Sequence, residues 1–142
     1  MFNKILVAYD GSDGAKLALE KVTELAKVTS TVLHLLAVGR IPEYAETVSE
    51  TEEAREQAKS YYSKVMEDAA EHLKQRGLSA KIHIDFGKPA DTILRIAEDL
   101  RVDLLVLGTH PHSALRRRVL GATADKVIDH ANCSVLVVRH AG

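Results

Sequence analysis

The 142-residue chain has little of what gives many proteins away. It has one cysteine, Cys133, so no internal disulfide can form. That residue opens the apolar run Cys133-Ser134-Val135-Leu136-Val137-Val138 and is expected to be small and buried rather than reactive. Neither sign of charge dominates: 19 Lys+Arg against 20 Asp+Glu leave a net charge of -1. No global field therefore draws the chain to nucleic acid or to an anionic membrane. No apolar run approaches the roughly 20 residues of a membrane span. Met1-Phe2-Asn3-Lys4 runs directly into a strand pattern, without the apolar stretch and cleavage site of a secretory signal. The expectation is a cytoplasmic protein with no membrane insertion. Internal repeats, low-complexity tracts and linkers are missing as well. Residues 1–142 are therefore expected to form a single domain, and a hydrophobic share of 46% suffices for a full core.

Catalytic signatures are missing too. Gly11-Ser12-Asp13-Gly14-Ala15-Lys16 only superficially resembles a phosphate-binding P-loop, and no Gly-x-Gly-x-x-Gly follows the first strand. Ser12 and Ser113 lack the Gly-x-Ser-x-Gly setting of an activated serine. No carboxylate pair or Cys/His pair stands at matching loop ends. His110 and His112 lie two apart with no third ligand nearby, a weak metal signal, and His34, His72 and His83 read as structural or exposed. A dedicated enzyme is not expected, nor a metal held by protein side chains alone.

What is present is an alternation of apolar runs and helical periodicity. Lys4–Tyr9 reads as a buried strand stopped by Asp10-Gly11, and Ser12 or Asp13 can cap the next helix. Leu17, Ala18, Val22, Leu25 and Ala26 recur at helical spacing on that helix. Val32–Val38 is a second strand, ending at Gly39. The loop from Gly39 to about Ser49 is the expected mobile segment. A polar, acid-rich stretch from Glu43 to Glu53 precedes a long helix with Ala54, Ala58, Tyr61, Val65, Ala69 and Leu73 as its core face, closed by Gly77. Ala80–Phe86 alternates, as a strand with one more exposed face does. Gly87-Lys88-Pro89 turns into a helix bearing Ile93, Ile96, Ala97 and Leu100. Asp103–Leu107 is the fourth strand, a helix with Val119, Leu120, Val127, Ile128 and Ala131 follows, and Ser134–Val138 is the fifth strand. Strands alternating with helices predict an α/β fold: an open, five-stranded, mostly parallel sheet with helices on both faces.

Such sheets bind ligands outside the carboxyl ends of their strands, where strand order reverses. Ala8, Tyr9 and Asp10 end the first strand there, and Val38 ends the second. Leu107, Gly108 and His110 follow the fourth, and Gly121, Ala122 and Thr123 open the next helix. Asp10 can accept from ribose hydroxyls or help hold Mg2+ beside a nucleotide; alternatively it caps the turn Gly11–Gly14. Val38 is a base contact or plain core. Glycine lets amides approach phosphate oxygens, which suits Gly108 and Gly121. Pro111 has no N–H, and Ala122 offers no hydroxyl. One lost hydrogen bond to a charged phosphate costs about 1.5–3 kcal/mol, roughly ten- to a hundredfold in affinity. Arg116-Arg117-Arg118 reads as a solvated helix face or as a phosphate contact by one of the three.

Over nearly its full length the chain resembles the universal stress protein family. The resemblance rests on Ile5–Ser12, on Gly87-Lys88-Pro89-Ala90 with Ile93, on Asp103–His110 and on Ala131–Arg139. It implies a Rossmann-like, adenine nucleotide alpha hydrolase-like fold. The family's nucleotide-binding branch carries glycine, two residues, glycine, nine residues, glycine, then serine or threonine. This chain matches at Gly108 and Gly121 and departs at Pro111 and Ala122; a further hydroxyl position falls on Ala124. The acidic turn residue falls on Asp10 and the base-contacting valine on Val38. The resemblance thus implies a regulator of stress response that binds ATP or another adenine nucleotide with Mg2+, in concert with a regulatory protein partner yet to be identified. It also implies a homodimer joined through Ser134, Val135, Leu136, Val137 and Val138, which otherwise present an open sheet edge. The alternative is a dimer without nucleotide, acting through protein contacts alone.

Overall fold

The computed structural model describes residues 2–28, 30–40, 46–109 and 121–139. Its elements are β1 (Lys4–Ala8), α1 (Asp13–Val28), β2 (Val32–Gly39), α2 (Val48–Lys74), β3 (Ala80–Phe86), α3 (Pro89–Leu100), β4 (Leu104–Gly108), α4 (Ala122–His130) and β5 (Ser134–Val138). The strands form one sheet in the order β3-β2-β1-β4-β5. Every pairing is parallel, so the sheet is wholly rather than mostly parallel among the described residues. Successive strands step away from β1 first toward β3 and then toward β5. The reversal falls between β1 and β4.

Side-chain alternation divides the core into two layers. Ile5, Val7, Leu33, Leu35, Leu104 and Val106 face α1 and α2, meeting Ala18, Leu19, Val22, Met66, Ala69 and Leu73. Leu6, Leu36, Leu105 and Leu107 face α3 and α4, meeting Ile93, Ala97, Ala124 and Val127. Strands covered on both sides read in sequence as unbroken apolar runs, which is why β1, β2 and β4 were legible as such.

The amino edge of the sheet is tied off by the protein itself. Asp103 accepts from the Asn3 N–H at 2.8 Å and the Lys4 N–H at 3.0 Å through its two carboxylate oxygens. Burial pushes this carboxyl up, but the Asn3 and Lys4 amides outweigh it and hold it below the usual carboxylate range. The carboxyl edge is arranged by a close backbone approach instead. A Cβ on Gly108 would fall on the carbonyl of Gly14, and a Cβ on Gly14 would fall on that of Thr109. Gly108 is therefore required by the packing of α1 against the end of β4. The phosphate argument alone does not capture this role.

Several expectations are corrected. α2 starts at Val48 with Thr47 as its cap, whose hydroxyl accepts from the Glu50 N–H at 3.0 Å, so most of the acid-rich stretch is helix. Tyr61, assigned to the core face, is 60% exposed, and Ile128 is 43% exposed. Met66, not singled out, is fully buried. Cys133 is half-buried, with burial pushing its thiol up first and Asp103 adding to it. Positions 41–45 of the loop expected to be mobile, together with His110, Pro111, His112, Arg116–Arg118, Val119 and Leu120, lie outside the described residues.

β3 is an edge strand, and its α3-side positions are polar. Asp85 receives a hydrogen bond from Arg95 at 2.8 Å. His83 and His34 meet ring nitrogen to ring nitrogen at 2.9 Å, so only one proton can lie between them. Burial first holds both imidazoles below their ordinary range; His83, Lys81 and Lys4 add to it at His34, and Lys81 at His83.

Two outcomes follow from this packing. Gly14→Ala is expected to cost about 2–3 kcal/mol in a urea melt, because neither backbone can yield without shifting α1 or β4. The histidine pair makes stability depend on pH. The unfolded chain binds protons near pH 6.5 while the folded pair resists them, so stability is full above that pH and falls as pH drops through it toward the folded values. Thermal melts at pH 7.5 and 5.5 are expected to show a lower Tm at the acid value, and the His34→Gln/His83→Gln double variant a smaller difference.

Candidate functional site

At the carboxyl edge of β1, β2 and β4 lies a cavity of about 810 Å3. Ligand sites of small molecules commonly fall between about 300 and 1,000 Å3, and topological reversals of parallel sheets are where they occur. Ala8, Tyr9, Asp10, Val38, Leu107, Gly108, Gly121, Ala122 and Thr123 all line it. Of the nucleotide-binding residues proposed from sequence, His110 lies outside the described residues.

The floor is built by strand ends. Tyr9 follows β1, is 6% exposed, and donates its N–H to Leu36 O at 2.8 Å. Burial, followed by the charges of Asp10 and Asp68, pushes its phenol up, so the ring stays neutral. Asp10 comes next. Its Oδ1 accepts from the Ser12 N–H at 2.9 Å, which closes the turn into α1. The Ser12 hydroxyl in turn accepts from the Ala15 N–H at 3.2 Å and caps α1. The turn-capping role weighed for Asp10 is thus present, and the same residue lines the cavity.

α4 supplies the opposite end. Its N-cap is Gly121, at φ 96°, and among the described residues no side-chain cap is seen. The amides of a helix's first turn have no partner within the helix and carry partial positive charge. At α4 those amides open on the cavity, since Gly121, Ala122, Thr123 and Ala124 all line it. Ala122 itself offers only its backbone N–H, beside Thr123 with its hydroxyl. An anionic group is the chemistry such a helix start receives.

The remaining wall comes from α2, and sequence reasoning missed its role. α2 has 27 residues, about 40 Å of helix, whereas β2, the longest strand, has 8 residues, roughly 26 Å. Its buried residues Met66, Ala69 and Leu73 sit toward its carboxyl end. The same apolar stripe continues N-terminally as Ala54, Ala58 and Tyr61, which line the cavity with Gln57 and Tyr62. Helical spacing marks one face but does not say whether a sheet lies beneath it. Arg40, just past β2, completes the mouth. Tyr62 is held neutral by burial first, then by Asp10 and Tyr61, with Arg40 opposing. The cavity thus joins an apolar and aromatic half over β2 to a backbone-donor half at α4. Among the described residues, no group of three or more His, Cys, Asp or Glu is arranged to hold a metal ion. No described helix is long and apolar enough to cross a membrane.

Comparison with known proteins agrees with this architecture. The family model described as the universal stress protein family matches residues 1–139. The universal stress protein YxiE of Bacillus subtilis is 36% identical over 153 residues, covering 98% of this chain and 100% of that protein. Among solved structures, hypothetical protein MJ0577 superposes with a TM-score of 0.87 at 29% identity, covering 100% of this chain and 99% of the other. A universal stress protein family protein of Arabidopsis thaliana, solved with AMP bound, superposes at 0.75 and 22% identity, covering 99% and 93%. At that identity it speaks for the fold.

The turn-capping role of Asp10 can be tested directly. Asp10→Asn keeps an acceptor for the Ser12 amide and is expected to leave stability within about 0.5 kcal/mol, while Asp10→Ala loses the bond and costs about 1 kcal/mol in denaturant melts.

Proposed function

Since this chain belongs to the universal stress protein family, we propose that its cavity binds an adenine nucleotide and that occupancy is what the protein reports to partners in stress response. One observation carries the reading: the residues assigned from sequence to the two ends of a nucleotide converge on a single cavity. The base and ribose occupy the half formed by Val38 and Asp10. The phosphates meet the uncapped amides of α4 at Gly121, Ala122 and Thr123. The donor set fits this group, since a helix start with a glycine N-cap and no side-chain cap among the described residues supplies N–H donors that a phosphate satisfies. Mg2+ would enter with the phosphates, Asp10 being the carboxylate at hand; the metal supplies charge neutralisation of the anionic tail. The structure with AMP bound supports an adenine ligand by analogy of fold.

The rest of the reading follows from the edges of the sheet. β5 is the terminal strand beside β4, with Ser134 exposed, Val135, Leu136 and Val137 half-buried, and Val138 buried. A second copy pairing across a twofold axis covers that edge, and we take the protein to be a homodimer through β5. Its role is binding rather than catalysis, in the cytoplasm, with a regulatory protein partner and without nucleic acid.

Equilibrium titration with ATP, ADP and AMP in the presence of Mg2+ tests the reading. Binding in the micromolar range is expected. At a nucleotide concentration of 100 Kd, stability should rise by about 2.7 kcal/mol. If none of the three binds below about millimolar concentration, the protein acts through protein contacts alone and the nucleotide role is wrong.

A further inference from the structure

The overhanging half of α2 carries an exposed aromatic ring that no core contact explains. Tyr61 is 60% exposed, yet it lines the cavity. Its ring meets that of Tyr62 edge to face, with centroids 5.1 Å apart and an interplanar angle of 74°. Tyr62 is half-buried and packs against the core, so it buttresses its neighbour. Along the same stripe, Ala54 and Ala58 precede Tyr61 at i, i+4 and i+7, a spacing that puts all three on one helix face. Two methyl side chains beside a ring leave room for a flat group against it. Val38 and Leu36 of β2 line the same cavity, with Ile93 of α3. Aromatic side chains carry a large apolar area that stays in water at a cost, so an exposed ring at a cavity mouth is best used by a planar occupant.

We propose that Tyr61 is the stacking surface for the ligand's base, with Tyr62 as its buttress and Ala54 and Ala58 clearing the space beside it. The inference rests on the nucleotide reading above and adds a binding residue that neither the glycine loop nor the end of β1 supplies. Stacking uses the π-face, which every base has, and grows with ring area. The site therefore gains affinity for purine nucleotides over pyrimidine nucleotides here, independent of donors at the ring edge. The phosphate end contributes nothing to this term.

The chain has no tryptophan, which makes the test direct. Tyr61→Trp installs a sole indole at the stacking position. Its emission is expected to be quenched by AMP and ATP and unchanged by inorganic triphosphate at the same ionic strength. In calorimetric titrations, Tyr61→Ala should weaken AMP and ATP by about ten- to a hundredfold, while Tyr61→Phe stays within about threefold of the natural protein. Because Tyr61 is exposed, all three variants should fold, and circular dichroism melts check that they do. Equal nucleotide affinity in the natural protein and Tyr61→Ala overturns the stacking role and leaves the nucleotide reading intact. Quenching by triphosphate as strong as by AMP also overturns it. A natural protein that binds no nucleotide overturns the reading itself and the stacking role with it.

Discussion

The site depends on one steric constraint: two backbones touch where side chains would forbid it. Gly14 at the head of α1 lies against Gly108 and Thr109 at the end of β4, and each glycine is needed because a Cβ would strike the other segment's carbonyl. This contact sets the distance between the start of α1 and the central strands. It therefore sets where Asp10 and Ser12, in the turn just before α1, stand relative to β4. The cavity floor is a by-product of that approach. A glycine that looks like a phosphate-binding device in sequence is first a packing device, and the open backbone it leaves at the strand end follows.

A second feature complements the first. α2 is longer than the strands it covers, so its stripe of apolar residues does two jobs. Met66, Ala69 and Leu73 close the core, while Ala54, Ala58 and Tyr61 wall the cavity. The helix thus ties the stability of the fold to the shape of the binding site through one rigid element.

Much of the fold was legible because parallel strands buried on both faces read as continuous apolar runs and their helices as periodic ones. β1, β2, β4 and β5 fell close to their expected bounds, and the sequence features at Asp10, Val38 and Gly121 do meet at one place. The start of α2 was misread because acidic residues were taken as loop, whereas Thr47 caps the helix and Glu50 suits its first turn. Tyr61 was misread because periodicity marks a face without naming what covers it. Arg40 and Gln57 gave no signal at all: single polar residues at a loop and on a helix look like ordinary surface. The Gly14–Gly108 approach joins segments far apart in sequence, so neither glycine announces its partner.

The Asp103 carboxylate gives the molecule a polarity of construction. By clasping the Asn3 and Lys4 amides, about a hundred residues away in sequence, it ties the start of β4 to the start of β1 at one rim of the sheet. The opposite rim is held by the Gly14–Gly108 approach, so residue changes at those glycines disturb scaffold and site together. Each rim is thus fastened by its own device, a carboxylate clasp at one and a glycine contact at the other.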